Sequence, residues 1–593
     1  MTEITWTDEQ KEILACDERI VIVKAGPGSG KTKVFAELLA REIKNWQSPT
    51  QGVAALSFTN VAERTIRERL GFAVPYPHFV GTIDSFLLRF IIKPFWKEAG
   101  FPFSTPRLIS ADVANLLDKP DLALDDDKSK RAFIFQTNAT GGTEHQPRYT
   151  TKLSYRWHQL HALSDRDNAA ALRSKQSIWR KSGLITYDDS HYLASYILNF
   201  ARHRAAVASI VTRRFPVLLV DEFQDTGHFQ YRALLKLIRD CPVRVIAVGD
   251  PDQAIYGFTG ASSRIFEQTS KLNGAKVLPM QVSQRCSICV CTVASCLSSA
   301  DNPVLPKEGA QVGHTLLISY ESDKTLTADL EAYLLARWTD RERVILARKA
   351  SILKSFKNLA SLEYPCSASG GKKLQLAVDL SRSGDPAAAR RIISNLLGQM
   401  VFTNKIGANE PQHFSDERLT SLGVNLERWK RIIYAVLLES STTIRDETWN
   451  DWLSRIRETV ASQLADYGCD AKTIAGKFRK DSTNGNRLRK SSSVGSSIHN
   501  GSFKTSTVHG VKGAEFDCVC MIVPKGKETD CPSTQWWDTD PLNEERRVAF
   551  VAVTRARHEF ALCVHLDTFT RLKNERPEFV DSFTETLELP TKL

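Results

Sequence analysis

The sequence predicts an α/β protein with two open parallel sheets, each interrupted by a mainly helical insert. Three observations carry this. Short, apolar, β-branched runs alternate with helical patterns, as strand–helix–strand units require. The polar, chemistry-bearing residues follow those runs, at the strand ends where a parallel sheet binds its ligands. Two long stretches then break the strand series with patterns that read as helix.

Taken in order, RIVIVKA (19–25) is a buried strand that runs into a glycine-rich turn and the helical pattern KTKVFAELLAREI. GVAALSF (52–58) is a second strand, followed by the helix VAERTIRERL; FPVLLV (215–220) and VRVIAV (243–248) are two more. Between 101 and 183 no strand of comparable strength stands out. WHQLHALSDRDNAAALRSKQSIWRKSG reads as helical, so this segment is expected to be a helical insert. A second sheet is expected to begin near Ala275 (AKVLPM), continue through VGHTLLISY and RERVILARK, and end with FDCVCMIV and HEFALCVHL. Between these lie AAARRIISNLLGQM, LERWKRIIYAVLLES and TWNDWLSRIRETVASQLADY, a second helical insert that ends in a basic, Ser/Gly/Asn-rich loop. The expected division is 1–100 and 184–274 for the first sheet domain around an insert at 101–183, and 275–371 and 504–593 for the second around an insert at 372–503.

Composition narrows the class. The chain has 593 residues, 42% of them hydrophobic, which excludes wholesale disorder. Its 12 cysteines are scattered along a large chain, unlike a secreted disulfide scaffold. The N-terminus is polar and acidic, and no run of about 18 apolar residues occurs, so no signal peptide, no membrane partner and a cytoplasmic location are expected. The 79 Lys and Arg exceed the 68 Asp and Glu, for a formal charge of +11, which suits a polyanion partner.

Residues 25–32, AGPGSGKT, place Ala25, Gly26, Pro27, Gly28, Ser29 and Gly30 in a turn whose amides can wrap a phosphate chain. Lys31 can reach the β- and γ-phosphates of ATP, the Thr32 hydroxyl can ligate Mg2+, and Lys33 continues the loop into the helix. VLLVDEFQDT (217–226) sets two carboxylates past a strand: Asp221 suits a magnesium site, and Glu222 suits a general base for water. On the next strand end, VIAVGDPDQAIYGFTGA (245–261) offers Gln253 as a γ-phosphate sensor and Tyr256 and Phe258 as rings on which bases can stack or which pack in the core.

Together these segments resemble superfamily 1 DNA helicases of the UvrD/Rep/PcrA type. TDEQ (7–10) resembles the glutamine motif, implying that Gln10 reads adenine. SFTNVAERTIRERL (57–70) resembles the motif in which Phe58, Thr59 and Asn60 touch single-stranded DNA, and VGTIDSF (80–86), with Thr82, the next DNA-contacting one. ITYDDS (185–190), VDEFQDT, GDPDQAIYGFTGA, TVHGVKGAEFDCV (507–519) and EERRVAFVAVTRAR (544–557) resemble the remaining motifs, in the family's order. The resemblance implies two RecA-like domains with ATP between them and 3′→5′ movement on single-stranded DNA. It also implies that Arg285 and Arg555 reach the nucleotide from the second domain, that Glu515 lies near the ribose and phosphates, and that His509 and Lys512 bridge the nucleotide and DNA sites.

Four residues depart from the family pattern. Gln284 replaces a common Tyr, which removes a stacking partner for adenine. Thr259 and Phe258 stand where Arg and Trp are usual, and Asp84 where His is common, which puts a negative charge near the phosphate track. These departures, with a compact second insert, support an alternative to an autonomous helicase: a DNA-stimulated ATPase that regulates a nuclease subunit, as in a Gabija-type anti-phage complex. Finally, Cys286, Cys289, Cys291 and Cys296 crowd into one segment. Their spacing is unusual for zinc, so helix packing is expected in preference to a metal site.

Overall fold

The computed structural model describes residues 6–101, 106–108, 136–138, 148–152, 160–162, 165–255, 264–321, 323–339, 341–349, 352–354, 369–382, 386–402, 414–442, 447–479, 503–525 and 543–589.

Two six-stranded sheets, parallel throughout, form the frame. The first runs Ala275–Met280, Ile20–Ala25, Arg244–Gly249, Val217–Val220, Val53–Ser57, Phe79–Thr82 from edge to edge. Side chains alternate between its faces: Ile20 and Ile22 enter the core containing Phe86, Trp96 and Phe215, whereas Val21, Val23 and Ala25 enter the one containing Phe35, Leu39 and Ile66. Helices cover both faces, so its central strands read as continuous apolar runs.

The second sheet runs Lys504–Thr507, Arg343–Ala347, Phe516–Val523, Ala556–His565, His314–Tyr320, Glu585–Glu588. Its strand Phe516–Val523 likewise sends Val519, Met521 and Val523 to one core and Cys518, Cys520 and Ile522 to the other. A separate helical core holds Trp429, Trp452, Leu453 and Ile456, contributed by helices between Ser369 and Lys477. The basic loop that follows falls largely outside the described residues.

Two expectations are corrected. The strand Ala275–Met280 does not open the second sheet. It pairs in parallel with Ile20–Ala25, from Ile20 with Ala275 to Ala25 with Met280, as an edge of the first. Gly26 N donates to Met280 O at 2.8 Å, and the Glu9 carboxylate accepts from Gln281 N, so this edge is tied beneath the glycine-rich turn. The first insert is also not strand-free. Besides the helix Asp165–Ser182, its described residues include an antiparallel sheet of Gln136–Asn138, Arg148–Lys152 and Leu160–Ala162. These strands are short and polar, and carry no apolar alternation for a sequence reading to detect. Among the described residues, no helix is long and apolar enough to cross a membrane.

Candidate functional site

The first sheet presents a loop at the end of its strand Ile20–Ala25. The chain turns through Gly26–Gly30 and enters the helix Lys31–Asn45. Gly28 (φ 71°) and Gly30 (φ 92°) occupy left-handed backbone that favours glycine. A Cβ on Gly28 would fall 2.6 Å from the Arg285 Cβ, so glycine here also admits the segment that carries this arginine. Ser29 Oγ donates to Gly26 O at 2.7 Å, bracing the turn from inside. Lys31 Nζ, half-buried, donates to Ala25 O at 3.1 Å and Gly26 O at 3.2 Å. Lys33 Nζ lies 4.4 Å from the centre of the Trp6 ring.

Behind the loop, Thr7 caps the helix Asp8–Ala15 and closes a reciprocal capping box with Gln10. That box fixes the Gln10 side chain, whose Nε2 donates to Ser29 O at 2.9 Å. The next residue back, Glu9, accepts from Gln281 N and Val282 N on the segment leading to Arg285. One short helix therefore grips both the loop and the chain that crosses to the second lobe.

Acidic residues follow the neighbouring strands. Asp221 is 2% exposed, and its Oδ1 has no hydrogen-bond partner. Burial, reinforced by Glu222, pushes its carboxyl up to about 7. An orphaned carboxylate oxygen suits a hard cation, and Thr32 lines the adjoining cleft, so the pair fits magnesium. Glu222 sits at φ 49°, the one non-glycine residue with positive φ among those described. This costs about 1–3 kcal/mol and turns its carboxylate toward the cleft. Burial pushes Glu222 up, but Lys31, Lys512, Gln224 and Arg555 outweigh it and hold the carboxyl below its usual range. Gln224 Nε2 donates to Glu222 Oε2 at 2.6 Å, while its Oε1 accepts from Asp250 N at 2.9 Å.

The second lobe answers with cations. Arg555 is 3% exposed, and its Nη2 donates to Gln253 Oε1 at 3.2 Å. Burial, then the nearby Arg285, lower its pKa to about 10, so it remains charged. Arg285 Nη1 donates to Thr554 O at 3.1 Å. Its Nε lies 2.6 Å from Glu515 Oε2, at an angle that makes an ion pair but leaves the buried N–H without a hydrogen-bond acceptor. Glu515 also accepts from Arg557, and these two arginines outweigh its burial to keep it ionised. Lys512 Nζ reaches both oxygens of the buried Asp225, at 2.8 and 2.6 Å, and Gln253 O at 2.9 Å.

These groups converge on one cleft of about 670 Å3, walled by Gly28, Lys31 and Glu222 from one lobe and by Arg285, Lys512 and Arg555 from the other. Asp221 lies deeper, and Gln10 behind the loop. The lining is polar and strongly charged, which suits an anion with several negative oxygens.

The residues expected to touch DNA are less complete. Thr59 is exposed and caps the helix Asn60–Leu70 through Ala62 N, with Phe58 half-buried beside it; the Asn60 side chain falls outside the described residues. Thr82 caps the next helix through Ser85 N at 3.1 Å. Tyr256, Phe258 and Thr259 lie outside the described residues. His509 Nε2 lies 3.0 Å from Ile255 O, a contact between lobes. Asp84 is not a bare negative charge. His191 Nε2 lies 2.7 Å from its Oδ1, which Gln230 also approaches, at 2.5 Å.

Sequence reasoning missed several residues that join the lobes. Asp225, in the same run as Asp221 and Glu222, could have been flagged as a third carboxylate. Asn302, by contrast, donates to Asp250 and Asp252 across 50 or more residues of chain, which no local pattern announces. Arg547 Nε donates to Ala254 O at 2.6 Å from within the motif 544–557, where sequence reasoning singled out Arg555 alone. Among the described residues no group of three or more His, Cys, Asp or Glu is placed to hold a metal, and Cys286 and Cys291 are buried.

Comparison with known proteins agrees with this arrangement. Residues 6–273 match the UvrD/REP helicase N-terminal domain, and residues 420–567 match the UvrD-like helicase C-terminal domain. DNA helicase II of Escherichia coli is 25% identical over 313 residues, which is 51% of this chain and 41% of that protein. The chain therefore spans less than half the length of that relative. A probable DNA helicase II homolog of Rickettsia conorii is 22% identical over 94% of this chain and 92% of its own length. The ATP-dependent DNA helicase PcrA of Leuconostoc citreum is 23% identical over 95% of this chain and 82% of its own. With the phosphate loop, the acidic strand end and the arginines of the second lobe gathered in one cleft, the chain belongs to the UvrD/Rep/PcrA-type superfamily 1 helicases.

Proposed function

We propose that the protein is an ATP-driven motor on single-stranded DNA, moving 3′→5′ and separating duplex ahead of it. One observation carries the reading furthest. The phosphate loop and Glu222 share a cleft with Arg285 and Arg555 of the opposite lobe, and Gln253 joins the halves through Arg555. A site assembled from two lobes ties hydrolysis to their relative position.

In the proposed cycle the loop amides and Lys31 hold the triphosphate, and Lys31 Nζ exchanges its contacts with Ala25 O and Gly26 O for phosphate oxygens. Glu222, kept ionised by the surrounding cations, orients water and accepts its proton. Arg285 and Arg555 spread positive charge over the phosphoryl group as it transfers, a task for which the planar, permanently charged guanidinium is suited. Thr32 and Asp221 would hold magnesium, which when bound neutralises phosphate charge. Gln253 passes the change onward, since its amide touches Asp250 and Arg555 and its carbonyl accepts from Lys512. The exposed Thr59 and the half-buried Phe58 and Thr82 provide the strand track, so DNA binding should weaken with salt and depend little on sequence.

The test is turnover of the purified chain with and without single-stranded DNA, followed by unwinding of a fork with a 3′ tail. DNA should stimulate ATP hydrolysis, and Lys31→Ala should abolish it. Hydrolysis that survives Lys31→Ala would remove the site assignment. Stimulated hydrolysis with an intact fork would favour the alternative, a chain that regulates a nuclease subunit.

A further inference from the structure

The helix Ile288–Ser295 begins directly after Arg285 and carries two buried thiols at its start. Ser287 is the N-cap, so Cys286 precedes the cap and Cys291 is the fourth helical residue. Those two positions face each other across the first turn, where helices commonly place a pair of touching apolar side chains. Here the pair is two cysteines, 2% and 1% exposed, with Cys291 Sγ 3.8 Å from Cys286 O. Cys286 also lines the cleft that holds Lys31, Glu222 and Arg555. Cys286, although almost fully buried, thus belongs to the wall of the cleft, with Cys291 packed behind it.

We propose that Cys286 and Cys291 form an oxidisable dithiol in the wall of the nucleotide cleft, which hydroperoxides convert to a disulfide that disables the site. This rests on reading the cleft as the nucleotide site. Cys286 is the attacking thiol. The neighbouring Cys291 thiol, whose Sγ donates to the Cys286 carbonyl oxygen, together with Arg285, Ser283 and Arg555 outweighs burial and brings the Cys286 pKa down to about 7. Cys291, the donor, is pushed up. Burial also pushes Cys518, on the second sheet, up to about 12, and raises Cys520. A lowered pKa and a place in the cleft wall therefore coincide at Cys286.

The Cys286 thiolate attacks the terminal peroxide oxygen and the O–O bond breaks. The rest of the peroxide leaves as alcohol or water once protonated, and Cys286 becomes a sulfenic acid. The Cys291 sulfur then attacks the Cys286 sulfur. The hydroxide that leaves takes the Cys291 proton and departs as water. The two thiols lose two electrons in all, and the peroxide gains them. A disulfide needs its Cβ atoms about 3.8 Å apart in a fixed geometry. Closing it draws in the backbone at Cys286, whose amide donates to Ser283 Oγ at 3.2 Å and whose neighbour is Arg285. Displacing that arginine by about an ångström should cost on the order of 10²-fold in turnover.

The experiment treats the full chain with hydrogen peroxide, then reads ATP turnover and the masses of non-reduced peptides. Turnover before oxidation tests the motor reading by itself, and the peptide masses test the dithiol independently of it. Expected are a Cys286–Cys291 disulfide, a turnover loss restored by dithiothreitol, and slower cross-linking when a non-hydrolysable ATP analogue fills the cleft. Cys291→Ser should keep its unoxidised turnover and form no such disulfide, whereas Cys289→Ser should behave as the parent. An absent cross-link, or a cross-linked protein with unchanged turnover, would overturn the proposal. Cross-linking indifferent to the analogue would also overturn it, because access through the cleft would then be wrong.

Discussion

The two lobes share a scaffold and oppose each other in charge. Each is a six-stranded parallel sheet whose central strands are buried on both faces. The first carries Asp221, Glu222, Asp225 and Asp250 just past its strands, and three of these carboxyls are pushed upward chiefly by burial. The second brings Arg285, Lys512, Arg547 and Arg555 to the same interface. The same backbone thus supports opposite chemistry, because strand ends fix position and leave residue type free. The Glu222 charge is not balanced by its own lobe alone. Glu222 is held ionised by Lys31 of its own lobe and by Lys512 and Arg555 of the other.

Removing one cation from the second lobe breaks this comparison most severely. Arg555→Ala should lower ATP turnover by about 10³–10⁵-fold, the range for an arginine placed on a transferring phosphoryl group. A loss under tenfold in steady-state turnover would show that the opposite lobe contributes little. Glu222→Gln keeps the shape and removes the base, and should cost about 10²–10⁴-fold in turnover while nucleotide binding persists. Lys512→Met leaves Asp225 buried and unpaired, a change that costs about 3–5 kcal/mol where such a pair is fully enclosed. Differential scanning calorimetry should then show the lobes unfolding more independently, and an unchanged trace would deny the Lys512–Asp225 latch its role.

The smallest effect lies within the first lobe. His191, although burial opposes it, is raised above 6.5 by Asp84, and Asp84 is lowered below 3.8 by His191 and Gln230. Their pairing stabilises fully between these two ordinary values. The Asp84 share is lost as pH falls through its depressed pKa, and the His191 share as pH rises through its elevated one. His191→Gln should lower stability by about 1.5–3 kcal/mol at pH 6. The difference from the parent should shrink in alkali, which urea titrations across pH would read.

Much of the candidate cleft was legible in the sequence because its parts are local. A strand, three glycines, Lys31 and Thr32 all lie between residues 19 and 32, and Gly28 and Gly30 take the backbone their type suggests. The reach of Arg285 and Arg555 into the cleft came from resemblance, since nothing near them in sequence points to a nucleotide. The edge strand Ala275–Met280 was misassigned for a physical reason. An edge strand pairs on one side only, its burial is irregular, and its pattern fits either sheet. Its ties to Gly26 and Glu9 choose between them. Asp84 read as an uncompensated charge because its partner His191 lies 107 residues away.

The sequence by itself determined the class of fold, the phosphate loop and the acidic strand end, because backbone propensity and hydrophobic period act over a few residues. The tertiary structure alone decided which sheet owns the crossing strand and which cation neutralises which carboxylate. It also brought Cys286 to the cleft wall with Cys291 packed behind it. Burial and charge pairing are set by neighbours in space, and in this chain those neighbours stand up to 302 residues apart.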